Sequence, residues 1–232
     1  MTLAPVSPPP PGVEQSTGLA VFYDPLSYAA YDHPYEVYRQ LRDHAPVYYN
    51  RRRDLWVVVL CAAGAAVSIK VPELFGLRLA EDDSFYGPNF SLFALPWLAA
   101  FLAWRRRARR PLIGILVALF ALGAVAANAY PLADTSQSVV VTSIHLPIAL
   151  WLVVGLAYVA DDWRSSRRRM DFIRFTGEWF VYYVLIALGG GVLVAFMFGT
   201  FEAIGISPET FVGQWLVPCG AAAAVVVAGW LV

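Results

Sequence analysis

Arginine clusters occupy alternate gaps between six long apolar stretches, and this alternation constrains the fold more than any other feature. Three arginines at positions 51–53 precede the first stretch, five within 105–110 follow the second, and five within 164–174 follow the fourth. The only basic residues in the other gaps are Lys70 and Arg78. Short loops rich in Lys and Arg stay in the cytoplasm. The pattern therefore predicts a multi-pass membrane protein with both termini in the cytoplasm.

The composition supports an all-α, six-helix transmembrane bundle. Hydrophobic residues make up 59% of the chain and charged residues 15%, against about 25% charged in ordinary globular proteins. Core helices of a soluble protein would carry a polar stripe at helical period, and these stretches have none. Because a membrane helix needs about 20 apolar residues, we expect spans at about 55–70, 88–104, 111–131, 138–160, 178–201 and 211–232.

The first apolar stretch is short for a membrane span, and Lys70 at its outer end would lengthen the helix. Lys70 closes this span, and its long side chain would snorkel outward to reach water. Residues 71–79 mix apolar side chains with Pro72, Glu73 and Arg78, which predicts a segment lying along the membrane surface. Prolines inside later spans predict kinks; they are Pro96, Pro147 and Pro218.

Two polar side chains inside the spans are the candidate site residues. Asn128 and His145 fall near the outer ends of the third and fourth spans, where they would line a polar pocket open to the outside. The alternative is that His145 bonds a neighbouring carbonyl or Asn128 and only joins the two helices. We expect this structural role, because a single histidine in a span is weak evidence for a functional site.

Three glycines at positions 189–191 lie near the middle of the fifth span. Transporters place binding sites at glycine-broken half-helices, but close helix packing through small residues spaced as in Gly191/Ala195 is the favoured interpretation. The basic loop 161–174 would bind anionic lipid headgroups, and Glu178 would pair with Arg174 one turn before it.

No residue cluster predicts catalysis, a cofactor or a metal. Cys61 and Cys219 both lie inside apolar runs, and the chain has no CxxC motif or Cys/His cluster with the spacing of metal ligands. The lipid bilayer is the expected partner, and nucleic acid is not. The sequence thus predicts a protein that is not an enzyme.

The first 54 residues differ from the rest of the chain. Residues 1–19 are proline-rich and predict a disordered tail. Residues 20–54 predict a short cytoplasmic appendage with an amphipathic helix, in which Pro34 occupies the first turn. A short hairpin would follow, with strands at 47–49 and 56–59 and its turn at 50–54.

This appendage resembles the N-terminal fragment of bacterial cytochromes P-450, the haem-thiolate monooxygenases. Residues 20–59 read AVFYDPLSYAAYDHPYEVYRQLRDHAPVYYNRRRDLWVVV, and the matching positions are 24–25, 34–38, 41–42 and 45–48. The thiolate loop FxxGxxxC and the acid–Thr motif of that family are missing. Because haem would have no proximal thiolate, a haem-thiolate monooxygenase is only a remote alternative function.

Residues from about 60 to 232 resemble a bacterial multi-pass membrane family called domain of unknown function 4153. The resemblance is carried by the segments LCAAGAAVSIKVPELFGLRLAEDDSFYGPNFSLFALPWLAAFLAWRR and RRRMDFIRFTGEWFVYYVLIALGGG. It implies an integral protein of the bacterial inner membrane with no assigned reaction. The predicted function is an inner-membrane protein of unknown biochemical role, envelope-related or a partner subunit, with a small-molecule transporter or permease as the alternative.

Overall fold

A computed structural model describes residues 55–79, 81–129, 137–160 and 164–232. The proline-rich tail, the amphipathic helix of the appendage and the first strand of the hairpin lie outside these residues. So does the rest of the region 20–54 that carries most of the monooxygenase resemblance.

The described chain is all-α, and six of its helical segments are long and apolar enough to cross a membrane. This confirms the predicted six-helix fold, and the chain is a multi-pass membrane protein. The elements are α1 (Leu55–Ser68), a 3-10 helix (Val71–Phe75), α2 (Asp83–Arg105), α3 (Arg110–Asn128), α4 (Gln137–Val159), α5 (Ser166–Ala203) and α6 (Glu209–Leu231). Within α6, residues Val212–Leu216 form a π-helix.

Helix α2 is the centre of the bundle and packs against α3, α4 and α6. Its inward side buries Leu98, Phe101 and Leu102 almost completely. Small residues on the same helix, among them Ala99 and Ala103, let neighbouring backbones approach closely, which is how helices associate without a hydrophobic driving force from water. The core therefore follows α2 along its length.

The fifth helix begins well before the predicted span, so the interpretation of 161–174 as a loop is wrong from Ser166 onward. Ser165 caps the helix, because its hydroxyl accepts a hydrogen bond from the Arg168 backbone N–H. At 38 residues, α5 is about 57 Å long, more than a hydrocarbon core of about 30 Å requires. Its basic first turns therefore extend beyond the membrane. The predicted pair is confirmed: Arg174 Nε lies 2.7 Å from Glu178 Oε1.

The second strand of the predicted hairpin is also wrong, because residues 56–59 belong to α1. Their β-branched side chains suit a strand, but they open an apolar run that continues to Ser68. In a bilayer every backbone group must be satisfied inside its own segment, and a helix achieves this where an isolated hairpin cannot.

The three consecutive glycines at 189–191 neither break α5 nor pack closely against another of the described helices. Helix α5 runs unbroken through Gly189, Gly190 and Gly191, and a Cβ added at any of them would meet no atom within 4 Å. The glycines that do allow close packing lie elsewhere, and sequence spacing did not single them out. They are Gly64 against Trp97, Gly123 against Leu150, Gly155 against Phe172, and Gly229 against Leu98.

Candidate ligand cavity inside the bundle

The first membrane span is broken near the middle of the bundle. Helix α1 ends at Ser68, whose hydroxyl lies 2.9 Å from the Ala65 carbonyl oxygen and 2.8 Å from that of Phe93. Phe93 is ten residues into α2, about 15 Å from the Asp83 end of that helix. Helix α1 therefore stops level with the middle of α2, and the chain continues as the short 3-10 helix.

Lys70 lies directly after this break and is buried, so the predicted outward snorkelling is wrong. Only 9% of the residue is exposed. Its ammonium is 2.6 Å from Glu73 Oε1 and 4.6 Å from the centre of the Trp215 ring. An ammonium removed from water needs such compensation, and here a carboxylate and an aromatic face supply it.

The π-helix of α6 places Trp215 at this position. Pro218 comes two residues after the end of the π-helix, and a proline ring clashes with the carbonyl four residues before it, here that of Gln214 inside the π-helix. Widening the helix by one residue relieves that clash. Pro218 thus produces a local π-helix, and this wider turn carries the indole that lies against Lys70.

Beside this junction is a half-open cavity of about 630 Å³ bordered by α2, α4, α5 and α6. This volume falls in the range of about 300–1,000 Å³ typical of small-molecule sites. Its walls are formed almost entirely by apolar side chains. The lining residues are Ile69, Phe90, Ser91, Ala94, Leu95, Pro147, Ile148, Trp151, Leu152, Trp179, Tyr183, Pro218, Ala221, Ala222 and Val225.

Ser91 is the polar anchor of the cavity. It is 3% exposed, and its hydroxyl has no hydrogen-bond partner within the described residues. The indole N–H groups of the wall are already used: Trp151 donates to Thr176 Oγ1 at 3.2 Å, and Trp179 donates to the Val225 carbonyl at 3.0 Å. Since an unsatisfied buried hydroxyl is costly, Ser91 is the candidate hydrogen-bonding group for a ligand, and Tyr183 supplies the other hydroxyl of a largely apolar lining.

The cavity opens toward the lipid-facing surface of the bundle. Two of its lining residues on α4, Ile148 and Leu152, are 60% and 65% exposed. Phe90 on α2 is 53% exposed. The open side of the cavity is therefore bordered by exposed apolar side chains.

The two site residues predicted from sequence lie apart from this cavity, and no hydrogen bond between them occurs in the described structure. Asn128 instead exchanges two hydrogen bonds with Asn89, at 3.0 and 2.9 Å, which join α2 to α3. His145 is exposed on α4, and its Nδ1 lies 2.9 Å from the Val141 carbonyl oxygen of the same helix. A polar pocket lined by both residues stays a prediction.

Sequence reasoning did not identify Ser91, Lys70 and Asn89 as buried polar residues of the bundle. Ser91 sits alone in an apolar run, and a lone serine in a membrane helix usually bonds its own backbone. Lys70 and Glu73 were predicted to lie at the membrane surface, so nothing in the sequence indicated that Lys70 is buried. Their position next to the π-helix of α6 follows only from the fold.

Comparisons with known proteins give no relative for this chain. No family model matches it, and neither the curated proteins nor the solved structures contain a match. Within the described ranges, no group of three His, Cys, Asp or Glu side chains is placed to hold a metal ion. The cavity must therefore be interpreted from its own chemistry.

Proposed function

We propose that this chain is a bacterial inner-membrane protein that binds a membrane-dissolved amphiphile in the cavity beside Ser91. The ligand is a molecule with a long apolar portion, such as an acyl or isoprenoid chain, and one hydrogen-bonding group. The carrying observation is the buried hydroxyl of Ser91, which has no hydrogen-bond partner among the described residues, in a largely apolar cavity that opens toward the lipid-facing surface.

Binding of a membrane amphiphile is consistent with the envelope-related role predicted from the sequence. A site reached from the bilayer serves molecules that reside there, and these include the lipids from which a cell envelope is built. The alternating arginine clusters support an orientation with both termini in the cytoplasm. They also support contact of the basic inner segments with anionic headgroups, each basic residue contributing about 1 kcal/mol near an anionic surface.

The composition of the cavity wall argues against a transporter for polar solutes. Such a protein needs a polar path through the bundle, whereas the indole N–H groups facing this cavity are already bonded. Neither His145 nor the glycines of α5 line it. A polar solute would lose its hydration here and find only the hydroxyls of Ser91 and Tyr183 among the lining side chains, which is unfavourable by several kcal/mol.

The two family resemblances of the sequence are also part of the proposal. The resemblance of residues from about 60 onward to domain of unknown function 4153 supports an integral membrane role. The resemblance of residues 20–59 to a monooxygenase fragment supports a joined N-terminal segment without haem chemistry. Since 56–59 are helical here, the family's strand at this position is not formed.

A test of the function measures which molecules remain bound to the purified protein. The chain is reconstituted into nanodiscs of defined lipid, and the bound molecules are identified by mass spectrometry. Ala221 is exposed and lines the cavity, so Ala221→Phe fills the entrance without disturbing the core. Ala121, exposed on α3, provides the matched control Ala121→Phe.

We expect the wild type and Ala121→Phe to retain the same amphiphile, and Ala221→Phe to lose most of it. Ser91→Ala should weaken binding by up to about tenfold, the equivalent of one hydrogen bond. Equal retention by Ala221→Phe and Ala121→Phe would refute binding in this cavity.

A further inference from the structure

A second cavity lies at the opposite end of the bundle, where α2 and α4 finish. Its volume is about 230 Å³, and it is lined by Leu102, Arg105, Arg106, Tyr158, Phe175 and Val232. Unlike the apolar cavity beside Ser91, it places two guanidinium groups on its wall. By the arginine distribution, this end faces the cytoplasm.

Both arginines rest on aromatic rings, which holds their charged groups in place. The Arg106 guanidinium carbon is 4.3 Å from the centre of the Tyr158 ring, and that of Arg105 is 5.9 Å from the centre of the Phe101 ring. Tyr158 is itself supported by Phe175, at 4.7 Å between ring centres. Guanidinium groups stacked in this way lose little further freedom when they bind a ligand.

Neither arginine has a carboxylate partner in the described part of the chain. The ion pairs of these residues involve Lys70, Arg78 and Arg174 instead. Two neighbouring positive charges without an acid repel each other, and an anion placed between them would remove that repulsion. Among the side chains that line this cavity, two are positively charged and none is acidic.

The backbone that ends α2 is shaped to present these side chains. Arg107 has a φ of 53°, and the N–H groups of Arg107 and Ala108 bond the carbonyls of Trp104 and Ala103. This is a Schellman ending with arginine at the position where glycine is usual. Ala160, just past α4, has a φ of 54°, so α2 and α4 both end in the left-handed conformation without glycine.

We propose that this cavity is a phosphate-binding site, with Arg105 and Arg106 as its ligands and Tyr158 as the platform that orients Arg106. Guanidinium matches the geometry of phosphate oxygens through paired hydrogen bonds. The phosphate belongs to a lipid headgroup of the cytoplasmic leaflet or to a free phosphate. The proposal does not depend on the apolar cavity.

The test measures binding to the full chain in a phosphate-free maltoside detergent by calorimetry at fixed ionic strength. Inorganic phosphate and dihexanoyl phosphatidic acid are titrated separately, with dihexanoylglycerol as the neutral comparison. The variant Arg105→Gln/Arg106→Gln removes both guanidinium groups. The matched variant Arg110→Gln/Arg167→Gln removes two exposed arginines that do not line the cavity.

The wild type and the matched variant should bind a phosphate probe saturably and dihexanoylglycerol not at all. Arg105→Gln/Arg106→Gln should lose at least about tenfold in affinity, as expected for charge-assisted bonds. Binding of phosphatidic acid alone identifies a lipid headgroup, whereas binding of inorganic phosphate as well identifies the phosphate group itself.

A second variant covers the case in which the double glutamine protein does not fold. Arg105→Lys/Arg106→Lys keeps both charges and the aromatic contacts but loses the planar fork, so it should bind severalfold more weakly while eluting as a single peak. The proposal fails if no phosphate probe binds the wild type. It also fails if the cavity variants bind as tightly as the matched variant.

Discussion

The ammonium of Lys70 lies 4.6 Å from the centre of the Trp215 ring, and this contact joins the broken first span to the π-helical turn of α6. Two irregularities of the backbone thus meet at one point of the bundle. The apolar cavity begins beside them, because Ile69 and Pro218 are both part of its wall. The end of α1 and the π-helical turn therefore both lie next to the cavity.

We expect the Lys70–Glu73 pair to be important for stability because Lys70 is buried. Lys70→Met would leave the Glu73 carboxylate unpaired, and Glu73→Gln would leave the ammonium unpaired. Each change should lower the free energy of unfolding by about 3 kcal/mol. The double variant Lys70→Met/Glu73→Met should recover much of that loss. Unfolding in mixed micelles measures these differences.

The Arg78–Glu81 pair provides the control, since its side chains are 72% and 65% exposed. Glu81→Gln should change the free energy of unfolding by less than about 1 kcal/mol, as for other surface pairs. Similar losses from Glu73→Gln and Glu81→Gln would mean that burial of Lys70 has no energetic consequence.

The reciprocal bonds between Asn89 and Asn128 should stabilise the contact of α2 with α3. Asn89 is 4% exposed, so Asn128→Leu leaves a buried amide with fewer partners. Interhelical hydrogen bonds in membranes contribute about 0.6 kcal/mol on average and up to about 1.7. A double-mutant cycle with Asn89→Leu should give a coupling energy in this range. His145→Ala, at an exposed position, should be neutral, and a coupling energy near zero would contradict the account.

Glycine substitutions should separate packed positions from open ones. A Cβ at Gly64 would lie 2.5 Å from Trp97 ring atoms, whereas one at Gly190 would meet nothing within 4 Å. Gly64→Ala should therefore cost about 1–3 kcal/mol through overpacking. Gly190→Ala should be neutral or slightly stabilising, because alanine favours helix. Thermal unfolding of the two variants tests this, and a large loss for Gly190→Ala would indicate a neighbour that packs against α5.

Reporter fusions test the orientation set by the arginine clusters. Fusions after Arg107 and Arg168 should report a cytoplasmic location, and fusions after Asp83 and Gly205 a periplasmic one. Compartment-specific phosphatase and fluorescence reporters give opposite signals on the two sides. A cytoplasmic signal from the Gly205 fusion would require a different topology.

The helices were predictable because bilayer thickness imposes a length and a composition that show directly in the sequence. The ends of the helices were harder to predict. The first turns of α5, which follow the Ser165 cap, are basic, and the apolar pattern does not distinguish them from a basic loop. The apolar cavity was not predictable, since Ser91 becomes significant only when four helices surround it. The Asn128 bond to Asn89 likewise depends on which helices are neighbours.

The most direct test of the central claim is to map where a bilayer amphiphile contacts the protein. A fatty acid with a photoreactive group in its chain is incorporated into nanodiscs with the full chain, and the labelled peptides are identified after irradiation. We predict saturable labelling at Ser91, Trp151 and Tyr183 that Ala221→Phe suppresses and Ala121→Phe does not. Labelling spread evenly over exposed positions such as Val192 and Phe196, and unchanged in Ala221→Phe, would contradict the claim.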